Sequence, residues 1–141
     1  MKLREYLRTA LRLLAAVAFV AAGVNHFVKP GFYRQIIPPG FPSPALLVAV
    51  SGACEVAGGL GLLIRPLRRA AGLGLIALLI AVFPANLYMA FAPHRIAGLP
   101  VARWLLWLRL PFQGVLIAWV WFVALGRSSP VTQSGSRPPL D

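Results

Sequence analysis

Four apolar stretches, each long enough to cross a lipid bilayer, dominate the sequence and leave almost nothing from which a separate soluble domain could be built. They read LRTALRLLAAVAFVAAGVNHF (7–27), ALLVAVSGACEVAGGLGLLI (45–64), AAGLGLIALLIAVFPANLYMAF (70–91) and ARWLLWLRLPFQGVLIAWVWFVAL (102–125). About 20 helical residues at ~1.5 Å each cover a hydrocarbon core of ~30 Å. Of the 141 residues 59% are hydrophobic and 12% charged, whereas soluble domains are roughly half apolar and a quarter charged. A soluble fold of this length has too little interior to hide so much apolar surface, so the bilayer is the expected solvent. The expected fold is all-α: a polytopic membrane protein, a four-transmembrane-helix antiparallel bundle over residues 1–125. The Pro- and Ser-rich remainder, 126–141, reads as a disordered tail.

The net charge of +11 comes from 14 Lys and Arg against three acids. Such a balance invites a nucleic-acid reading, but the cations sit between apolar runs rather than along one polar face. They read instead as topology signals and contacts for anionic lipid, with no nucleic acid as partner. Lys2, Arg4, Arg8, Arg12, Arg65, Arg68, Arg69, Arg127 and Arg137 fall on one side of the expected bundle; Lys29, Arg34, Arg95, Arg103 and Arg109 fall on the other. The positive-inside rule then places both termini in the cytoplasm, with the chain in an inner (cytoplasmic) membrane. The basic start of the first segment resembles a cleaved signal peptide, but Arg4, Arg8 and Arg12 recur every fourth residue on one helical stripe. That favours a retained helix.

The short RPLRR connection forces the second and third spans into a hairpin, while KPGFYRQIIPPGFPSP joins the first two. Phe32, Tyr33 and Phe41 in that loop suit headgroup depth. Cys54 is the sole cysteine, so no internal disulfide forms and no C-x-x-C pair exists for thiol exchange or zinc.

Ionisable groups inside a span are costly unless paired or hydrated, and are therefore the first functional candidates. Glu55 lies about 16 Å into the second helix by the helical rise, near the midplane. There it must be protonated or neutralised by a cation. Arg109, about 9 Å into the fourth helix, is the obvious cation, and Gln113 follows at i+4 on the same face. Asn86 comes just after Pro84, whose missing N–H frees a carbonyl one turn earlier. Asn25 and His26 close the first helix. Every span thus places a polar group in the outer half, and the inner halves are almost wholly apolar. Two readings stay open: an interhelical network that fixes register, or the lining of a binding cavity. His26, with His94 as its only histidine partner, reads as a hydrogen-bonded interfacial residue rather than a metal or haem ligand, and no metal motif is present. The run SGACEVAGGLGLL is no phosphate loop, because no strand precedes it. Its Ser51, Glu55, Gly58, Gly59 and Leu62 share one helical face, where small residues suit close helix packing.

Taken in order, GVNHFVKPGFY, SGACEVAGGLGLL, FPANLYMA and RLPFQ resemble the DoxX-like family of bacterial membrane proteins, over roughly Gly23 to Trp121. The resemblance implies a four-helix membrane bundle with His26, Pro30, Glu55, Gly59, Pro84, Asn86, Arg109 and Gln113 as recurrent positions. It also implies a place beside thiosulfate or thiol redox systems, in a subunit passing electrons to quinone or organising complexes with soluble redox enzymes; a distant eukaryotic relative looks like a receptor-assembly chaperone. With no cysteine pair and no haem site, the expected role is an accessory subunit of an oxidoreductase rather than a stand-alone enzyme.

Three functions follow as expectations. In the first, a quinone lies between helices in the outer half, where Glu55 relays protons, Arg109 tunes its charge, and Asn86 or Gln113 binds a carbonyl. In the second, a non-enzymatic scaffold or chaperone binds lipid or a partner protein through small-residue faces. The third is transport of protons or a small molecule, which four short helices support only as a homo-oligomer.

Overall fold

A computed structural model of the chain describes residues 2–97 and 102–126. The expected tail beyond Gly126, with Arg127 and Arg137, lies outside the described residues. The described chain is all-α. Its elements are α1 (Lys2–Val28), α2 (Pro30–Gln35), α3 (Pro44–Leu63), α4 (Arg68–Ala81), α5 (Phe83–Phe91) and α6 (Arg103–Ala124), with a turn of 3-10 helix at Pro93–Arg95. Four helical stretches, Leu3–Val28, Pro44–Leu63, Arg68–Phe91 and Arg103–Ala124, are long and apolar enough to cross a membrane.

The third of these is not one straight helix. It breaks at Val82, two residues before Pro84, and continues as α5. The ring of Pro84 removes the hydrogen bond that Ile80 would receive and crowds the preceding turn, which is how proline kinks a helix. Proline acts differently at the start of α3. Pro44 occupies the first helical turn, where a missing N–H costs nothing. Gly40 supplies the reversal before it at φ 99°, a conformation that side chains with a Cβ resist.

The spans pack in a closed order. α1 lies along α3, α3 along α4, α4 and α5 along α6, and α6 returns to α1. Within lipid no hydrophobic force draws helices together, so close approach of small residues does much of the work. Gly23 sits against the carbonyl oxygen of Gly52, and Gly59 against that of Ala16. Gly58 lies under the Leu75 side chain and Gly61 faces Ala71. Gly58 and Gly59 therefore serve different neighbours, α4 and α1, rather than one shared face. Ala15, Phe19, Leu62, Leu75, Leu79, Val120 and Val123 fill the core between these contacts. Outward-facing Val17, Leu46, Ile80 and Trp121 stay exposed, as lipid-facing side chains do.

At one end, the end holding the start of α1, the α3–α4 turn and the close of α6, arginines satisfy helix C-termini. Arg8 donates to the carbonyl of Gly126, Arg12 to that of Val123 at 3.3 Å, and Arg68 to that of Leu62 at 3.1 Å. The last carbonyls of a helix lack intrahelical partners and carry its negative dipole end, so a guanidinium suits them twice over. α1 is thereby tied to the close of α6. At the opposite end α2 folds back over the bundle. Ile36, Met89, Ala90, Ile96 and Leu106 form a second apolar cluster there, with Phe32 and Tyr33 packed against it. Those two rings turn inward because α2 brings them over buried apolar surface, whereas Phe41 remains exposed.

Candidate functional site

α1 and α6 share the least extensive seam of the bundle. They meet closely where Ala15 faces Val120 and Val123, then part toward the α2 end. The gap is a cavity of about 610 Å³. Its walls are Ala18, Phe19 and Ala22 of α1 and a long face of α6 including Leu108, Phe112 and Trp119. Leu79, Val82 and Asn86 from the broken third span close the back, with Glu55 of α3. Leu108 and Phe112 are exposed on the outside of the bundle, so the mouth opens sideways.

Four of the expected polar residues, Glu55, Asn86, Arg109 and Gln113, line this one cavity. They divide into two kinds. Asn86 and Gln113 are buried and bound to each other, with Asn86 Nδ2 donating to Gln113 Oε1 at 2.8 Å. Gln113 Nε2 in turn donates to the carbonyl of Leu79. Leu79 belongs to the last turn of α4, whose carbonyls the break at Val82 leaves without a continuing helix. The amide pair thus mends the kink that Pro84 creates, one carbonyl earlier than the Ile80 oxygen that proline itself frees.

Glu55 and Arg109 behave otherwise. Among the described residues neither makes a side-chain hydrogen bond, and no ion pair within 4 Å joins them. Glu55 instead approaches His26, with Nε2 and Oε2 3.6 Å apart. Of the two candidate neighbours, His26 rather than Arg109 is the one within 4 Å of the Glu55 carboxyl. The crossing at Gly23 and Gly52 brings α1 so close to α3 that His26 reaches the carboxyl first.

His26 is held on its other side. Its Nδ1 is 3.1 Å from the carbonyl oxygen of Val48 and 3.1 Å from Ser51 Oγ. Ser51 itself donates to Val48 O. A carbonyl only accepts, so the Nδ1 proton points toward it. Nε2 and Oε2 then face each other 3.6 Å apart, within ion-pair range but beyond a hydrogen bond. Behind the pair the Tyr33 ring lies on His26, centroids 3.8 Å apart, and Asn25 donates to the Tyr33 hydroxyl at 2.9 Å. Asn25 and His26 therefore stand behind Glu55 and do not line the cavity.

Trp119 was not singled out by the sequence. Its indole Nε1 is buried without a hydrogen-bond partner among the described residues, and the residue lines the cavity. An aromatic residue within an apolar run gives no signal of such a role. The wall thus joins the exposed arginine Arg109 to two residues, Glu55 and Trp119, that each carry a buried polar atom without a partner among the described residues.

Residues 14–124 match a family described as a domain of unknown function, DUF8561. The chain belongs to that family. The DUF8561 match runs from the middle of α1 to the last residue of α6, so it takes in every residue of the cavity wall. No curated protein and no solved structure matches the chain.

Proposed function

We propose that this DUF8561 protein is a binding subunit of a bacterial inner-membrane redox system, whose cavity takes a lipid-soluble carbonyl compound of the quinone class. One observation carries the reading. A laterally open cavity within the spans is lined by Glu55, Arg109 and Trp119; Glu55 Oε2 and Trp119 Nε1 are buried without a hydrogen-bond partner among the described residues, and the Arg109 side chain is exposed. Unsatisfied donors in an apolar site are costly, and a ligand oxygen relieves them. Arg109 and Trp119 donate to the carbonyls of the head, and the tail leaves through the mouth toward lipid. Glu55, its Oε2 3.6 Å from His26 Nε2, supplies or accepts a proton as the head changes redox state. Electrons come from a soluble redox partner, as the likeness to DoxX-like proteins implies. The arginine-rich end faces the cytoplasm, in keeping with the positive-inside rule.

The scaffold alternative is less well supported. Gly58 and Gly59 are already used inside the bundle and offer a partner no small-residue face.

The test is native mass spectrometry of the protein gently purified from its own membranes, with an absorption spectrum alongside. A bound quinone that is lost in Arg109→Gln and Glu55→Gln, while both variants keep their helical circular dichroism, is the expected result. An empty bundle carrying a stoichiometric partner protein overturns the reading in favour of a scaffold.

A further inference from the structure

The end of the bundle opposite α2 holds a second set of unsatisfied charges, remote from the cavity. Arg8 and Arg12 of α1, Arg65 of the α3–α4 turn and Arg68 of α4 gather there, around the ends of α3 and α6 marked by the carbonyls of Leu62, Val123 and Gly126. Arg8, Arg12 and Arg68 each give an N–H to a helix-terminal carbonyl, which fixes the side chains but neutralises no charge. A guanidinium has five N–H donors, so most remain free. Arg8 Nε is buried without a partner among the described residues. The chain has three acidic residues in all; Glu5 is the only one near this end among the described residues, and no ion pair forms there among them.

Three cations fixed by carbonyls, with the exposed Arg65 in the adjoining turn and no ion pair among the described residues at this end, call for an anion. The cluster lies where α3 and α6 end and α4 begins, and arginine's planar fork matches phosphate oxygens two at a time. Beside Arg65, the exposed side chains of Leu63, Ile64 and Leu67 offer apolar surface. A free phosphate has no use for that surface, whereas acyl chains do. We propose that this cluster is a stoichiometric binding site for the phosphate of one anionic phospholipid, whose acyl chains lie against the α3–α4 turn. The headgroup completes the neutralisation that the capping contacts leave unfinished and clamps α1 to the hairpin of α3 and α4.

The full chain in neutral detergent, titrated in a native mass spectrometer with phosphatidylglycerol, phosphatidylcholine and inorganic phosphate in turn, tests this. One phosphatidylglycerol retained in preference to phosphatidylcholine is expected. The paired change Arg12→Gln and Arg65→Gln should weaken its retention about thirty-fold, taking each arginine near the surface at its usual worth. Arg34→Gln with Arg95→Gln, at the other end, should leave it unchanged. If Arg12→Gln fails to fold, Arg65→Gln alone serves, because Arg65 is exposed and makes no capping contact; about a five-fold loss is then expected. Equal retention of phosphatidylcholine, retention indifferent to these arginines, or displacement of the lipid by inorganic phosphate alone overturns the proposal.

Discussion

Replacing Gly23 by alanine tests the crossing on which the whole site depends. A Cβ at Gly23 would lie 2.6 Å from the carbonyl oxygen of Gly52, 2.8 Å from Val56 Cγ2 and 2.9 Å from Glu55 Cβ. The first is about 0.8 Å short of the 3.4 Å at which ordinary van der Waals contact begins, and it involves backbone, which no rotamer change can move. α1 and α3 must therefore separate. Overpacking of this kind costs ~1–3 kcal/mol, and the upper half of that range applies where three atoms obstruct at once. Alanine in a helix recovers ~0.5–1 kcal/mol relative to glycine, so a net loss of about 1–2.5 kcal/mol is expected. Gly74 and Gly114 supply the control, because an added Cβ there meets nothing within 4 Å. Gly74→Ala and Gly114→Ala should gain ~0.5 kcal/mol or more by the same helical preference. Equilibrium unfolding in mixed micelles, followed by circular dichroism over a titration with dodecyl sulfate, reads all three. Because Glu55 Cβ is among the obstructing atoms, Gly23→Ala should also weaken binding in the cavity, whereas the controls should not. Equal stabilities for Gly23→Ala and Gly74→Ala would refute the reasoning, since only the close approach separates the two sites.

Three further outcomes follow from the site. Gln113→Leu leaves Asn86 Nδ2 and the Leu79 carbonyl without their partner, and should lower stability by about 1 kcal/mol in the same titration, toward the upper part of the range for interhelical bonds in membranes. Trp119→Phe removes the unpartnered indole N–H and keeps the ring. Stability in the empty protein should therefore hold or rise slightly, while native mass spectrometry shows a lower fraction of bound quinone. Pro84→Ala restores a donor to the Ile80 carbonyl and straightens the third span. It should pull Asn86 away from Gln113 and abolish ligand retention, with helix content by circular dichroism unchanged or raised.

What the sequence made legible was depth, and what it hid was rotation. The rise per residue puts Glu55, Asn86 and Gln113 near one level, because each helix has a known start, and polar residues in apolar runs announce themselves by their cost. Which of them touch depends on how each helix is turned about its axis. Depth alone therefore makes Arg109 a candidate cation for Glu55 without saying whether the two meet, and in the structure it is His26 that approaches the carboxyl. Gly58 and Gly59 were read as one face, yet neighbouring residues on a helix point about 100° apart and here serve two neighbours. Gly23 and Gly52, the pair at which the backbones of α1 and α3 meet, look like any other small residues in lipid. Arg8, Arg12 and Arg68 read as orientation signals, and nothing local in the sequence says that they reach the carbonyls of Gly126, Val123 and Leu62. The proline break was visible at Pro84, but the mending of its loose carbonyl by a glutamine 34 residues later in the chain was not.

The seam between α1 and α6 is fastened at one end by arginine contacts and parted at the other by the cavity. Such a joint behaves like a clothes-peg: its jaws widen by tilting, while the spring end stays closed. Widening separates only apolar surfaces such as Phe19 and Phe112, and in a bilayer the lipid tails that move in are as apolar as what they replace. Girth is therefore a weak filter at this mouth, and head chemistry a strong one. Compounds with the same polar head and tails of very different thickness should compete for the cavity on nearly equal terms.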